Sequence, residues 1–360
     1  MPTNNKQNDG YKQIRSKHLF FKIAELSPAY FALVMATGIV SIAAHLYNYI
    51  LFAKALFYIN SIAYLIICIL FIFRFIYFKK EFLSDFMDDR KNMGFLSFVA
   101  ANCILGGQFI LIANNYHVAA FFLIIGLSSW IVLTYSLFLI LIEKRNKPSI
   151  KAINGTWLLL VVATQAVSIL LAQLEEFLPF SHNEVLFFSL ILFLCGCLFY
   201  IILITLIIYR LIFFELHAED LSPPFWISMG ADAITVLAGS TLILNADKWE
   251  LLIEILPFLK GFTLLFWAIG TWWIPLMVML GIWRHFIKKV PLKYNSAYWG
   301  MVFPLGMYTV CTFQLSQAVG VPFLMAISSV FVFFAIGVWS IVFIYLIYSL
   351  IFSVMLKKKL

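Results

Sequence analysis

Residues 185–214 read VLFFSLILFLCGCLFYIILITLIIYRLIFF, and Arg210 is the only charged residue in this run. A bilayer core of about 30 Å requires about 20 apolar residues in an α-helix, so the run is long enough to cross a membrane. The whole chain of 360 residues has the same character, with 63% hydrophobic and 12% charged residues. So few charges could not cover the surface of a water-soluble protein of this size. The composition therefore predicts an integral membrane protein.

Ten such runs predict an all-α membrane domain with ten transmembrane helices. The odd runs are shorter and interrupted by glycine and proline, whereas the even runs are longer and more continuous. Only a few residues follow the first, third and ninth runs, which predicts that consecutive runs form helical hairpins. We expect a basic N-terminal segment at 1–26, one transmembrane domain at 27–356 and a basic tail at 357–360. The predicted spans are 27–47, 51–78, 93–114, 116–142, 153–173, 185–214, 224–245, 252–286, 297–317 and 323–356.

The positions of lysine and arginine predict the orientation of these spans. Of the 25 Lys and Arg residues, all but Lys54, Lys248 and Lys260 fall on the side that also holds both termini. Because basic loops stay in the cytoplasm, both termini are predicted to be cytoplasmic, with the protein in the cell membrane. The net charge of +8 is then a topology signal and a contact for anionic membrane lipid, and no nucleic-acid partner is predicted.

The sequence carries no pattern typical of catalysis or of a bound cofactor. The histidines and cysteines lack metal-ligand spacing, and no phosphate-binding loop or nucleophile–base pair is present. We therefore expect no enzyme activity, no cofactor and no metal, and we exclude ATP-driven transport by this chain alone.

A repeated pattern marks the odd runs, each of which begins near an aromatic residue. These aromatic residues are Phe31, Phe95, Trp157, Trp226 and Trp299. Four residues later stand Met35, Val99, Val161, Gly230 and Phe303, and seven residues later stand Gly38, Asn102, Thr164, Ala233 and Gly306. Positions i, i+4 and i+7 share one helical face, so the pattern predicts residues that line a central pore. Small residues at this spacing also serve close packing between membrane helices, and that alternative stays open.

Four motifs resemble those of the tellurite-resistance/dicarboxylate transporter family, whose relatives include the plant slow anion channels. They are WGMVFPLGMY at 299–308, FWISMGADAI at 225–234, NGTWL at 154–158 and GTWWIP at 270–275. The resemblance covers essentially all ten spans. It implies five helical hairpins in a pseudo-fivefold ring around a central pore, commonly as a homotrimer. It also implies a phenylalanine that blocks the pore, which Phe303 matches in this sequence.

Two residues carry the functional hypotheses. Phe303 is the only aromatic residue in its layer of the repeat, so we expect a pore gate, with core packing as the alternative. Asp232 is the only acidic residue deep in a predicted span and departs from the more apolar family pattern. An ionisable residue inside a membrane is a functional candidate, so Asp232 could couple transport to protons or serve as a hydrogen-bonded structural residue.

The sequence therefore predicts a channel or channel-like transporter for small anions with a phenylalanine gate. The alternative is a proton-coupled transporter of C4-dicarboxylates such as malate, or a transporter of tellurite or sulfite. Neutral hydrogen-bonding residues on the odd spans could bind an anion or could join neighbouring helices. These residues are Ser41, Asn102, Gln108, Thr164 and Gln165.

Overall fold

The computed structural model of the protein describes residues 23–218, 220–292 and 294–355, which form helices and turns and no β-strand. The predicted segment 1–26 lies mostly outside the described residues, and the predicted tail 357–360 lies wholly outside them. A helix satisfies every backbone N–H and C=O group within its own segment, as a chain inside lipid must. The predicted all-α class is confirmed for the described residues.

The helices follow one another in short and long pairs. In chain order they begin with α1 (Ala32–Leu46), α2 (Ile50–Tyr77), α3 (Lys79–Met87), α4 (Ser97–Leu111), α5 (Tyr116–Glu143) and α6 (Leu159–Gln173). They continue with α7 (His182–Phe213), α8 (Ile227–Leu244), α9 (Glu250–Glu254), α10 (Leu256–Ile282), α11 (Trp299–Val319) and α12 (Phe323–Met355).

Helices α1, α4, α6, α8 and α11, here called the central helices, each follow a short 3-10 turn. These turns are Pro28–Phe31, Asn92–Leu96, Gly155–Leu158, Pro223–Trp226 and Ser296–Tyr298. The predicted aromatic residues therefore lie in these turns or, for Trp299, directly after one. Most residues of the central helices are buried.

Helices α2, α5, α7, α10 and α12, here called the peripheral helices, are longer, and much of their apolar surface is exposed. Exposed leucine, isoleucine and phenylalanine side chains along a helix are typical of a surface that faces lipid. Nine helices of the described chain, counted with their 3-10 turns, are long and apolar enough to cross a membrane. The ninth predicted span, at 297–317, corresponds to α11, which has 21 residues but is less apolar than the helices of the other nine spans.

Each central helix contacts the next one along the chain, and the last contacts the first. Helix α1 contacts α4, α4 contacts α6, α6 contacts α8, α8 contacts α11, and α11 contacts α1. Each central helix also contacts the peripheral helix that follows it in the pair. The hydrophobic core therefore lies among the central helices.

The turns between paired helices are short at the three places where the sequence predicted short connections. Residues 47–49 join α1 to α2, 112–115 join α4 to α5, and 320–322 join α11 to α12. Gly320, with φ of 71°, ends α11 in the left-handed conformation that glycine adopts without strain. At the other end of the molecule, a Cβ atom on Gly155 would lie 2.0 Å from the carbonyl oxygen of Pro224, so only glycine fits where these two 3-10 turns meet.

Candidate functional site

Two cavities lie among the central helices, one at each end. The larger, of about 620 Å³, lies toward the C-terminal ends of all five central helices and is here called the C-terminal cavity. Its wall includes one large apolar side chain from each central helix: Ile39, Ile104, Ile169, Ile234 and Met307. Polar side chains at the last turns of these helices line its mouth, among them Gln173, Thr241, Asn245 and Gln314.

The smaller cavity, of about 240 Å³, lies where the central helices begin and is here called the N-terminal cavity. Residues from α1, α6, α8 and α11, and from the 3-10 turns before them, line it. Phe303 and Met35 are among the lining residues, whereas Met307 and Ile39, one turn further along the same helices, line the C-terminal cavity. The boundary between the two cavities therefore lies at the level of Phe303.

Phe303 is held closely by its neighbours. Its side chain is 1% exposed. A Cβ atom on Gly230 of α8 would lie 3.1 Å from Cε1 of Phe303 and 2.9 Å from Cγ of Pro304, so the absence of a side chain at Gly230 makes room for both rings. Pro304 lies inside α11 and leaves one backbone carbonyl there without its usual helical donor.

Only part of the predicted pore-lining set borders a cavity. Met35 and Phe303 line the N-terminal cavity, whereas Val99, Val161 and Ala233 are buried and line neither cavity. The remaining predicted residues lie at contacts between helices: Gly38, Asn102, Thr164, Gly230 and Gly306. The face that borders the cavities instead runs, on α1, through Met35, Ile39, Ile42 and Leu46.

The polar residues of the predicted face bond to aromatic residues of peripheral helices. Each peripheral helix donates one hydrogen bond, from a tyrosine O–H or a tryptophan N–H, to the central helix of the next pair. The five bonds are Tyr64 to Asn102 (2.7 Å), Trp130 to Thr164 (2.9 Å), Tyr200 to Asp232 (2.6 Å), Trp267 to Thr312 (3.1 Å) and Trp339 to Thr37 (3.0 Å). The last bond joins the final pair to the first. The donors recur once per pair along the even runs, a signal that the sequence analysis missed.

Asp232 lies on the side of α8 that faces α7 and α10. Its Oδ2 accepts the hydrogen bond from Tyr200, whose oxygen in turn accepts one of 3.1 Å from Nε1 of Trp273. The cavities are bordered by other residues of the same helix, Ile227 and Ile234. Asp232 thus accepts the same kind of bond as Asn102 and Thr164, one residue before the repeat position that Ala233 holds.

Other neutral polar residues proposed from the sequence also bond between helices. Ser41 donates to the carbonyl oxygen of Ala53 at 2.7 Å, and Gln165 donates to that of Phe193 at 3.1 Å. The Oε1 atom of Gln108 accepts a bond of 2.6 Å from Asn60. These contacts favour the helix-joining interpretation of the polar residues.

A charged cluster lies at the mouth of the C-terminal cavity. Lys248 forms ion pairs with Glu175 and with Glu176, the latter at 2.7 Å, and His182 also contacts Glu175. Among the described residues that line this cavity, Lys248 is the only lysine or arginine. The hydrogen bond from Lys248 lowers the pKa of Glu176 below its ordinary value. Burial disfavours the charged lysine, but its bonds to Glu175 and Glu176 outweigh burial and raise the pKa of Lys248.

The sequence model of the family described as voltage-dependent anion channel, SLAC1, matches residues 25–347. The chain belongs to the SLAC1 family. Its match spans nearly the whole chain, which confirms the resemblance that the four motifs indicated.

Relatives of this SLAC1-family chain include proteins from archaea and bacteria. Two uncharacterized transporters of Methanocaldococcus jannaschii are similar to it, one 27% identical over 79% of this chain and 82% of the relative, the other 25% identical over 83% and 87%. An uncharacterized membrane protein of Mycobacterium tuberculosis (strain H37Rv) is 38% identical over 42% of this chain and 76% of the relative. The family and these relatives support transport across a membrane.

In four helix pairs of this SLAC1-family chain, a basic side chain links the two helices. It comes from the end of the peripheral helix and donates to a backbone carbonyl shortly before the central helix of the same pair. The donors and acceptors are Arg74 to Ala24, Lys144 to Met87, Arg210 to Ile153 and Arg284 to Leu221. Arg74 is also buried against Asp85, 2.5 Å away. These basic residues therefore fix the ends of the helices that surround the N-terminal cavity.

Proposed function

We propose that the protein carries small anions across the membrane along a central path that the five central helices enclose. In this proposal the ten helices form five hairpins in a ring, the peripheral helices face lipid, and both termini are cytoplasmic. The observation that carries it is the pair of cavities among the same central helices: Phe303 lines the N-terminal cavity, and Met307, one turn further along α11, lines the C-terminal cavity. Two cavities that are separated at this level suit a path with a gate.

The walls of the proposed path favour small anions and bind them weakly. Four central helices begin around the N-terminal cavity, and helix N-termini carry a partial positive charge that favours anions. Among the described residues, no Lys, Arg, Asp or Glu lines the N-terminal cavity. The passing anion would therefore meet no fixed positive charge that could hold it there. Selectivity then rests on the weak field of the helix ends and on the charged cluster at the opposite mouth.

Phe303 is proposed as the gate. An ion that enters an apolar constriction must shed water, which costs several kcal/mol when no charged or polar group replaces the water. The Phe303 ring lines the N-terminal cavity and packs against α8, where Gly230 leaves space for it. In this proposal, displacement of the ring opens the path from the N-terminal cavity toward the C-terminal cavity.

The proton-coupled alternative has less support from the geometry. A coupling acid has to meet the transported ion or the water around it, yet Asp232 faces two other helices and bonds to Tyr200. We therefore propose passive anion transport, with Asp232 as a structural acceptor. The homotrimer implied by the resemblance stays a prediction, which native mass spectrometry of the purified protein can test.

The function is tested with the purified protein in liposomes. Fluxes of chloride, nitrate, sulfite and malate are measured with and without a pH gradient. Passive flux of at least one monovalent anion without a pH gradient supports the proposal. Transport only under an inward proton gradient, by protein that retains its helical content, would favour the carrier instead.

A further inference from the structure

A third cavity opens on the peripheral surface between α2 and α5. It has a volume of about 690 Å³ and is here called the lateral groove. Aromatic rings form its floor, including Phe31, Phe71 and Phe98, while Ile72 and Val132 at its edges are largely exposed. The groove therefore opens toward the surface that faces lipid.

The length of the lateral groove matches one leaflet of a bilayer. On α2 it extends from Phe75, near the end of the helix, to Cys68, which is about 10 Å at the helical rise per residue. On α5 it extends from Ile124 to Leu133, about 13 Å. Half of a bilayer core of about 30 Å is close to these lengths. An acyl chain from the leaflet on the side of the N-terminal cavity would fill it.

A basic residue lies near the end of the lateral groove where a lipid headgroup would be. Helix α3 contributes Phe82 to the groove, and Lys79 lies one turn earlier on the same face of this helix. Lys79 is exposed and forms no ion pair within the described part of the chain, whereas its neighbour Lys80 lines a separate cavity together with Glu81 and Asp85. An unpaired lysine at the end of an apolar groove is complementary to a phospholipid with an anionic headgroup.

We propose that the lateral groove is a binding site for an anionic phospholipid, with one acyl chain between α2 and α5 and the headgroup at Lys79. The site shares a wall with the N-terminal cavity. In the segment Ser27–Ala32, Pro28 and Phe31 line the groove, whereas Ser27, Ala29 and Ala32 line the cavity. A bound acyl chain would therefore press on the back of the segment that borders the proposed anion path.

Native mass spectrometry of the purified protein tests the site with phosphatidylglycerol and phosphatidylcholine as probes. Ser128 lines the groove, is exposed and donates only to the carbonyl oxygen of Ile124, so Ser128→Trp should fill the groove and remove bound phosphatidylglycerol. Thr205→Trp on α7 is the matched control, because Thr205 is also exposed and bonds in the same way to Ile201. Lys79→Gln should lower the preference for phosphatidylglycerol about fivefold, whereas Lys80→Gln, which neutralises a lysine of the separate cavity, should change it less.

Equal lipid binding by the Ser128→Trp and Thr205→Trp variants would overturn the site. So would efficient cross-linking between copies of the chain through Ile124→Cys, which would show that a second copy covers the groove. These readouts do not depend on transport. The coupling to flux does rest on the proposed function: anion flux in the parent and in Thr205→Trp should differ between the two lipids, whereas flux in Ser128→Trp should not.

Discussion

Tyr200 on α7 donates a hydrogen bond of 2.6 Å from its phenolic oxygen to Oδ2 of Asp232 on α8. Both side chains are fully buried, and the bond joins one helix pair to the next. It is one of five bonds of the same kind, and the other four end on neutral acceptors. Asp232 therefore accepts a kind of bond for which a neutral acceptor suffices on the other four central helices.

Replacement of Asp232 separates the structural interpretation from the proton-coupling one. Asp232→Asn keeps an acceptor oxygen for Tyr200, so thermal stability and the pH dependence of anion flux should change little. Asp232→Leu leaves the buried tyrosine O–H without a partner and should cost about 1–3 kcal/mol of stability. Melting in detergent and flux between external pH 5 and 7 are the measurements. Loss of acid-driven uptake in a well-folded Asp232→Asn protein would assign the proton to this residue.

The bond from Trp339 to Thr37 should stabilise the closure between the last and first helix pairs. A double-mutant cycle of Trp339→Phe and Thr37→Val should give a coupling energy of about 0.6 kcal/mol, typical of hydrogen bonds between membrane helices. Trp339→Phe combined with Thr164→Val is the control, since Thr164 accepts from Trp130 and the two changes should add independently. A cycle with no coupling between Trp339 and Thr37 would contradict the proposed role of the bond.

Lys248 should raise the local anion concentration at the mouth of the C-terminal cavity. Lys248→Gln removes the lysine partner of Glu175 and Glu176 and should lower anion flux roughly threefold, whereas Glu176→Gln should raise it. Because Lys248 lowers the pKa of Glu176, external acid down to about pH 5 should leave this carboxylate ionised and the flux unchanged. Lys260→Gln is the control, because Lys260 does not line the cavity. Equal flux in both lysine variants would remove Lys248 from the path.

Cysteine labelling tests the proposed orientation. Single cysteines at positions 80, 147 and 289 should resist a membrane-impermeant thiol reagent in intact cells, because these loops are predicted to be cytoplasmic. Cysteines at positions 54 and 260 should react. Labelling at any of the first three positions without cell lysis would contradict the ten-span topology.

Much of the helical framework could be predicted from hydropathy, because a helix that crosses lipid has to be apolar over its whole length. The helices α7 and α12, for example, could be predicted from their apolar runs alone. The orientation of the central helices about their own axes could not be predicted in the same way. All faces of α4 or α6 are buried, so their sequences show no contrast between an apolar and a polar side.

The same limit applies to the residues that were predicted from their spacing to line the pore. Asn102 and Thr164 are polar and regularly placed, but their donors, Tyr64 and Trp130, lie more than 30 residues earlier in the chain. Only the packing of one helix pair on the next brings donor and acceptor together. Phe303 was identified from its place in the repeat and from its resemblance to a family motif, and its position on the wall of the N-terminal cavity supports the gate hypothesis.

The gate is tested most directly by anion flux through Phe303→Ala in liposomes. The control is Phe266→Ala, since Phe266 is equally buried, at 1% exposure, but lies on α10 and lines neither cavity. If Phe303 closes the path, its removal should raise passive anion flux at least about tenfold at the same protein content, because a barrier lower by about 1.4 kcal/mol already gives that factor. Phe266→Ala should lower the melting temperature without raising flux. A Phe303→Ala protein that melts at a lower temperature and passes no more anion than the parent would show that Phe303 is a packing residue and not a gate.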